Sequence, residues 1–470
     1  MRPHFMDWIP KDKGGSQGDD GQVNAPQGIV EHPLDLRPQE LILSKLAPLE
    51  ETATKWRWRP EPASLLSLDD LMAKLTPAPS RLLIALSHDN YTQVPGGVQL
   101  CLQREQALAT EQGATYLQAH PYHALPRLAH VAEEPDTIVS LLLNGAALGD
   151  CRMSTLIDAT KTIAPTSEQT RVIIHHLMGQ LPEQAAELVR AAGEAPAIFW
   201  LHDFFSLCPS YALQRNDVAF CGAPNVSSNA CMLCVYGQER GSHLQRMQTL
   251  FEAVKMDIAA PSAVTAEFWQ AKTNLPHGAL TVVPHMELTE IAKTPSATGP
   301  ADRPVTVAFL GSLAALKGWA EFQSLMRAHQ DQGTYRFVVM SKEEPKQGED
   351  AWLSVHVTTA NPTAMTDAVA HEDVDFVLHW TTARETFSFT TFEALAGSAY
   401  VITHRNSGNV ARIVAQTGRG AILDDLQDLE AFFTDGRAKS LADTRRAAAQ
   451  AVSVSARYSE MSLPLIGRND

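Results

Sequence analysis

From Arg81 the chain settles into a rhythm of short apolar runs separated by polar loops and amphipathic stretches. RLLIALS, ATYLQAH, TIVSLLLNG, RVIIHHLMG, PAIFWLHD, MDIAAPSA and LTVVPH follow one another over residues 81–285. Apolar runs this short predict buried strands. Their alternation with helical stretches such as LCLQREQALATEQG, stopped at Gly113, predicts a parallel sheet covered on both faces. KTPSATGPADR, Lys293–Arg303, breaks the rhythm with Pro, Gly, Ser and Thr in no period, which is linker composition. The alternation then restarts with VTVAFLG, YRFVVMS, LSVHVTT, VDFVLHW and AYVITH. Two successive α/β units make a two-lobed molecule whose cleft faces the carboxyl ends of both sheets, where such folds bind ligands. The C-terminal SLADTRRAAAQAVSVSARYSEM predicts a helix placed to pack across the lobes. The domain reading is an extension over 1–78 with one short helix near Ser67–Leu75, a first lobe over 79–292, a second over 303–450, and a tail over 451–470.

A length of 470 residues calls for more than one core, and 44% hydrophobic with 19% charged residues is the balance of a globular protein. The 38 basic residues against 53 acidic ones give a formal charge of −15, which excludes nucleic acid as the main partner. There is no apolar run of eighteen residues or more, and MRPHFMDWIPKDKGGSQGDDGQ lacks the apolar core of a signal peptide. The expected location is therefore the cytoplasm, with peripheral contact to the inner membrane left open.

The chemistry gathers in RETFSFTTFEALAGSAYVIT, Arg384–Thr403. This segment falls between two predicted strands, so it should begin as a loop at a strand's carboxyl end and continue as a helix. Amides at a helix start are unpaired and suit phosphate oxygens. Glu385, just before them, is better suited to accept hydrogen bonds from sugar hydroxyls, and Glu393, two turns on, to reach a ribose. That combination fits a nucleotide sugar.

The Glu385/Glu393 pair resembles the E-x7-E pattern of retaining GT-B glycosyltransferases of the family-four type, and the likeness runs from about Arg81 to Ala451. It implies an α/β, GT-B fold: two Rossmann-like parallel-sheet domains facing each other across a cleft. VPGGVQ, with Gly96 and Gly97, looks like the family's Gly-Gly loop, where backbone approaches diphosphate and acceptor; it is equally a tight strand–helix turn. FWLHDFFSLCP resembles the strand ending in His-Asp, which implies His202 beside the transferred sugar and Asp203 orienting it or capping the next helix. FLGSLAALKGW matches the first strand–turn–helix of the second lobe, implying donor contacts at Gly311 and Lys317. Ser312 stands where many members carry Arg, so that guanidinium is absent and Arg384 is a candidate substitute. The resemblance places the donor against Thr386, Phe387, Ser388 and Phe389 as well, and HRNSGNVARIV, with Asn406 and Gly408, looks like the turn after the E-x7-E helix. His88, Asp89, His175 and His176 are weaker acceptor-side candidates, and His285 sits where members show an interlobe hinge.

Cys208, Cys221, Cys231 and Cys234 form C-x12-C-x9-C-x2-C, and the closing CMLC is a chelate knuckle. Four thiolates satisfy Zn2+ without leaving an open position, so a structural zinc is expected, with an iron–sulfur cluster or free thiols as the alternatives. Cys101 and Cys151 read as buried small hydrophobes. No cofactor is expected for catalysis. The expected activity is retaining, metal-independent transfer from a nucleoside-diphosphate sugar to a glycan or lipid-linked acceptor in bacterial surface polysaccharide synthesis. His202, Glu385 and Lys317 carry the catalytic roles. A sugar-nucleotide epimerase and a non-catalytic sugar-nucleotide-binding scaffold are the competing readings.

Overall fold

The computed structural model describes residues 62, 64–292, 303–343, 351–358 and 360–467. Nearly all of the N-terminal extension and of the expected linker lie outside these residues, apart from the helix Leu68–Lys74, capped by Ser67 in a capping box with Asp70. The first lobe contains β1 (Arg81–Leu86), β2 (Thr115–Pro121), β3 (Ile138–Leu143), β4 (Ala146–Arg152), β5 (Gln169–Ile174) and β6 (Ala197–Trp200). A small hairpin, β7 (Gln214–Arg215) and β8 (Ala219–Phe220), precedes β9 (Met256–Ala260) and β10 (Leu280–Val282). All but the hairpin join one sheet in the order β10-β9-β6-β5-β1-β2-β3-β4.

Six of these strands are parallel, as the buried apolar runs require, but the edge is not. β3 pairs antiparallel with β2 and β4 antiparallel with β3. The β3–β4 turn is Asn144-Gly145, both at positive φ (48° and 85°), the dipeptide that a tight hairpin favours.

β11 (Met286–Ala292) leads out of the first lobe. The second lobe then forms its own sheet from β12 (Val305–Leu310), β13 (Tyr335–Ser341), β14 (Trp352–Ser354), β15 (Phe376–Leu378), β16 (Tyr400–His404) and β17 (Gly420–Leu423). Its order is β14-β13-β12-β15-β16-β17, with every pairing parallel. Both sheets therefore reverse winding direction next to their first strand, between β1 and β5 and between β12 and β15. Loops part at such a point and leave a crevice at the carboxyl ends of the strands. Two Rossmann-like α/β lobes joined this way are the expected GT-B arrangement.

The C-terminal expectation needs correction. The helix ends at Ala451, and Val452–Tyr458 is a strand, β18, paired antiparallel with β11 from Met286↔Tyr458 to Ala292↔Val452. The alternation VSVSARY is a strand pattern, and β11 supplies the partner that the local helical run lacks. The two strands together form the crossing between lobes. Beyond β18 the chain returns to the first lobe, where Leu463, Leu465 and Ile466 pack with Trp200, Tyr91 and Tyr116, and Ser462 Oγ accepts from the Trp200 indole at 2.8 Å. In the second lobe the helix Arg437–Ala451 is locked by fully buried Asp375, which accepts from Arg303, Arg445 and Arg446.

Candidate active site

The candidate site of the second lobe lies at the switch point, where the ends of β12 and β15 part. After β12, Gly311 turns at φ +95°, and a one-turn helix, Ala315–Lys317, ends on Gly318 at φ +86°. A Cβ on Gly318 would stand 2.3 Å from the Trp380 carbonyl, so only glycine lets this turn approach the chain leaving β15. That approach delivers Lys317, whose Nζ lies 2.6 Å from Glu385 Oε1. Thr381 Oγ1 (3.3 Å) and His379 Nε2 (3.7 Å) flank the same carboxylate. Burial alone would raise the Glu385 pKa; Lys317 and His379 outweigh it and hold the carboxyl well below its ordinary range.

Behind Glu385 the backbone is fixed by Gly408. Its φ is +71°, and a Cβ there would meet the Glu385 carbonyl at 2.4 Å. Glu385 N–H donates to Ser407 O, and Asn409 N–H donates to Glu385 O. The helix Phe389–Ala396 then starts on Ser388, a non-glycine residue at φ +80°. Strain of this kind persists only where the surroundings enforce it. Here the Ser388 hydroxyl caps the helix by accepting from Thr391 N–H.

Glu393 faces the seam between the lobes in a different state. It is 4% exposed, no hydrogen bond reaches its carboxyl among the described residues, and burial pushes its pKa up to about 7. Tyr458 of β18 lies near it, with the Arg104 guanidinium 4.1 Å over the phenol ring.

The other residues named from the sequence on this loop serve the seam between the lobes. Thr386 Oγ1 donates to the His202 carbonyl at 2.6 Å, and the Thr386 carbonyl accepts from Ser262 and Thr265 of the first lobe. Phe387 stacks on Phe392 at 4.4 Å, and Phe389 lies parallel to His285 at 5.6 Å. Gly97, at the start of the helix Gly97–Glu111, stands opposite Phe389, since a Cβ there would contact that ring at 3.6 Å. Neither glycine is left-handed: Gly96 is extended at φ 178° and a Cβ there would meet the Gln99 side chain of its own helix at 2.2 Å, so only Gly97 bears on this approach of the lobes. Arg384 is not directed at Lys317: its guanidinium lies 5.2 Å above Phe268 of the first lobe. Ser312 is exposed.

On the first-lobe side, His202 Nε2 is 2.9 Å from His175 Nδ1, and His202 Nδ1 is 3.3 Å from His285 Nε2. Desolvation, with neighbouring histidines adding to it, pushes His202 well below its ordinary pKa and His285 down to about 3, so both rings are neutral. Asp203 does not orient His202. It accepts from His176 Nε2 at 3.0 Å and from Phe205 N–H at 2.8 Å. His88 and Asp89 gather around the Gln99 amide.

The structure thus brings Glu385 and Lys317 together, sets their loop against His202 through Thr386, and leaves Arg384 apart. Glu105, His175, Gly318 and His379 support or adjoin these candidates in the structure, and the sequence does not single them out or ranks them low. A signal for the histidines was present: His88, His120, His175, His202 and His285 each close an apolar strand-like run.

The four insertion cysteines are unpaired. All four line one small cavity of about 20 Å3, with Arg240 beside them. Arg240 is buried and donates to Leu207 O, Pro224 O and Cys231 Sγ (3.4 Å). The insertion reaches the second lobe where Gln214 Nε2 donates to Thr382 Oγ1 at 2.7 Å. Among the described residues the insertion cysteines do not form a close cluster of three or more ligand atoms, whereas those of Cys101, His202 and His285 fall within 4.8 Å of one another. No helix among the described residues is long and apolar enough to cross a membrane.

No family model matches the sequence, and no curated protein matches it as a relative. Solved structures do show likeness. The sucrose-phosphate synthase of Thermosynechococcus elongatus is 12% identical with TM-score 0.44, and Anabaena HepE in complex with UDP-glucose is 14% identical with TM-score 0.44. The pneumococcal O-GlcNAc transferase GtfA in complex with UDP and GlcNAc is 10% identical with TM-score 0.45. Each comparison covers 78% of this chain and 94% of the other. With TM-scores below 0.5, these likenesses carry no residue role or activity over to this chain.

Proposed function

We propose that the protein is a retaining glycosyltransferase that moves a sugar from a nucleoside-diphosphate sugar to a glycan or lipid-linked acceptor in bacterial surface polysaccharide synthesis. The observation that carries the reading is the Lys317–Glu385 pair at the second-lobe switch point. It lies beside a helix start and is joined through Thr386 to the His202 segment of the first lobe. Lys317 neutralises Glu385. A diphosphate entering the crevice competes for the ammonium, and the carboxylate released accepts hydrogen bonds from the sugar. Lys317 and the amides around Ser388 and Phe389 then offset charge building on the leaving diphosphate. The chain's own residues supply this stabilisation, and the leaving phosphate helps take the acceptor proton, so no protein general base and no catalytic metal is assigned. Packing of the lobes at Phe389 and His285 keeps water from the reacting bond.

Cys208, Cys221, Cys231 and Cys234 are the residues that would hold a single structural Zn2+: they are four soft donors lining one cavity, with Arg240 a cation suited to a site that carries net negative charge when loaded. Binding would have to draw their sulfurs together, since the close cluster of ligand atoms among the described residues is not theirs. Such an ion would brace the insertion behind the Gln214–Thr382 contact and would not act on substrate. Peripheral contact with the inner membrane belongs to the same reading, because a lipid-linked acceptor is presented there.

The experiment is product analysis with UDP-, GDP- and dTDP-sugars, with and without lipid-linked acceptor. Acceptor-dependent release of nucleoside diphosphate, with the anomeric configuration retained, supports the reading. Acceptor-independent conversion of the sugar nucleotide would replace it with epimerisation. Binding without turnover would replace it with a scaffold role.

A further inference from the structure

The loops at the carboxyl ends of the first sheet contain a hydrogen-bonded chain that runs from a buried carboxylate to the crossing between the lobes. Glu105, on the helix Gly97–Glu111, is completely buried. Its Oε1 accepts from Tyr116 OH and from His175 Nε2, each at 3.0 Å, and its Oε2 accepts from Ser462 N–H at 3.0 Å. Three donors converging on one carboxyl hold it as the anion, and its pKa is lowered in spite of burial, with His175 the strongest opposing influence. From His175 the chain continues to His202 (2.9 Å) and from His202 to His285 (3.3 Å).

While the three rings are neutral, only one direction of donation satisfies this chain. A bare His175 Nε2 facing a carboxylate would set lone pair against lone pair, so Nε2 carries the proton and Nδ1 accepts. His202 must then donate from Nε2 and accept at Nδ1, and His285 must donate from Nε2. The proton-free nitrogen left over is His285 Nδ1, which is buried and has no partner among the described residues. In a neutral imidazole, the bond made by one nitrogen decides what the other can do.

We propose that Glu105 is a positioning residue that acts through His175 to fix the His202 proton on Nε2, leaving Nδ1 as the lone-pair nitrogen turned toward His285 at the lobe crossing. The proposal rests on the reading of His202 as the residue that meets the transferred sugar. A substrate hydroxyl that displaces His285 then encounters an acceptor and not an N–H. The C-terminal segment belongs to the same device, because Ser462 N–H is one of the three donors that keep Glu105 charged.

Glu105→Gln is the informative change. The Ser462 backbone N–H cannot turn into an acceptor, so the carboxamide oxygen must take that side. The NH2 then faces His175, which reverses every bond down to His285. The measurement is a long-range 1H–15N correlation on full-length protein labelled at histidine, at pH 8, with His202 assigned by His202→Asn. Wild type is expected to show His202 as the Nε2–H tautomer. Glu105→Gln is expected to show the Nδ1–H form, with kcat reduced tenfold or more and donor KM within about twofold of wild type.

A wild-type Nδ1–H tautomer overturns the proposal whether or not the variant folds. So does an unchanged His202 tautomer in folded Glu105→Gln. A metal-bound Nδ1 signal that vanishes in Cys101→Ser would replace the relay with a Cys101–His202–His285 metal site. The spectrum needs no substrate, so failure of the glycosyltransferase reading and failure of the relay are separable.

Discussion

Glu393 gives the most quantitative consequence of the lobe packing. Burial moves its pKa from the ordinary 4.5 to about 7, with no counter-ion among the causes. A carboxyl whose folded pKa is raised binds its proton more tightly when native, so stability declines as pH rises through this window and stays low above it. The separation is about 2.5 pH units, worth about 3 kcal/mol at pH 8 and under about 1 kcal/mol at pH 5. Glu393→Gln keeps the shape and removes the charge, so it should recover about 3 kcal/mol at pH 8 and little at pH 5. In Tm this is roughly 4 °C if the whole chain unfolds together and nearer 10 °C if the second lobe unfolds alone. Thermal unfolding of both proteins at the two pH values is the assay. An equal gain at pH 5 and pH 8, or none at pH 8, would refute the claim that a buried, unpaired carboxylate is strained there.

Glycine supplies a paired test. Gly408→Ala at φ +71° meets the Glu385 carbonyl at 2.4 Å, whereas Gly418→Ala at φ +64° has nothing within 4 Å. Gly418→Ala should cost only the backbone term, about 1–2 kcal/mol, while Gly408→Ala should cost more and also weaken donor binding; equal costs in chemical denaturation would contradict the Gly408 contact. For the cysteines, elemental analysis should find about one zinc per chain, lost on chelation as four thiols become titratable. Metal-free protein with four freely reacting thiols in the insertion would exclude the site.

Most of the fold was written in the apolar runs, because a strand buried on both faces leaves a continuous signature that needs no partner to be recognised. What escaped depended on a partner distant in sequence. VSVSARY became a strand only because β11, more than 150 residues earlier, offers its edge. The β3–β4 hairpin was signalled by Asn144-Gly145, yet the surrounding α/β rhythm masked it. At the site, Glu385 and Lys317 were legible from motif spacing, but their pairing across 68 residues was not. Arg384 shows the limit of adjacency: it neighbours Glu385 in sequence, while its guanidinium lies over Phe268 in the other lobe. Asp203 next to His202 suggested an orienting carboxylate. The fold gives that place to Glu105, about a hundred residues away, because consecutive residues at the end of β5 face consecutive residues at the end of β6.

The central claim is that the second-lobe crevice holds a nucleoside diphosphate on Lys317 and the amides at the Phe389–Ala396 helix start. Calorimetric titration of UDP, GDP and dTDP into wild type and Lys317→Ala tests it directly. At least one diphosphate should bind wild type, and loss of a charge-assisted contact worth about 1.5–3 kcal/mol should weaken it roughly ten- to a hundred-fold in the variant. Wild type that binds none of the three, or a Lys317→Ala variant that binds as tightly as wild type, would contradict it.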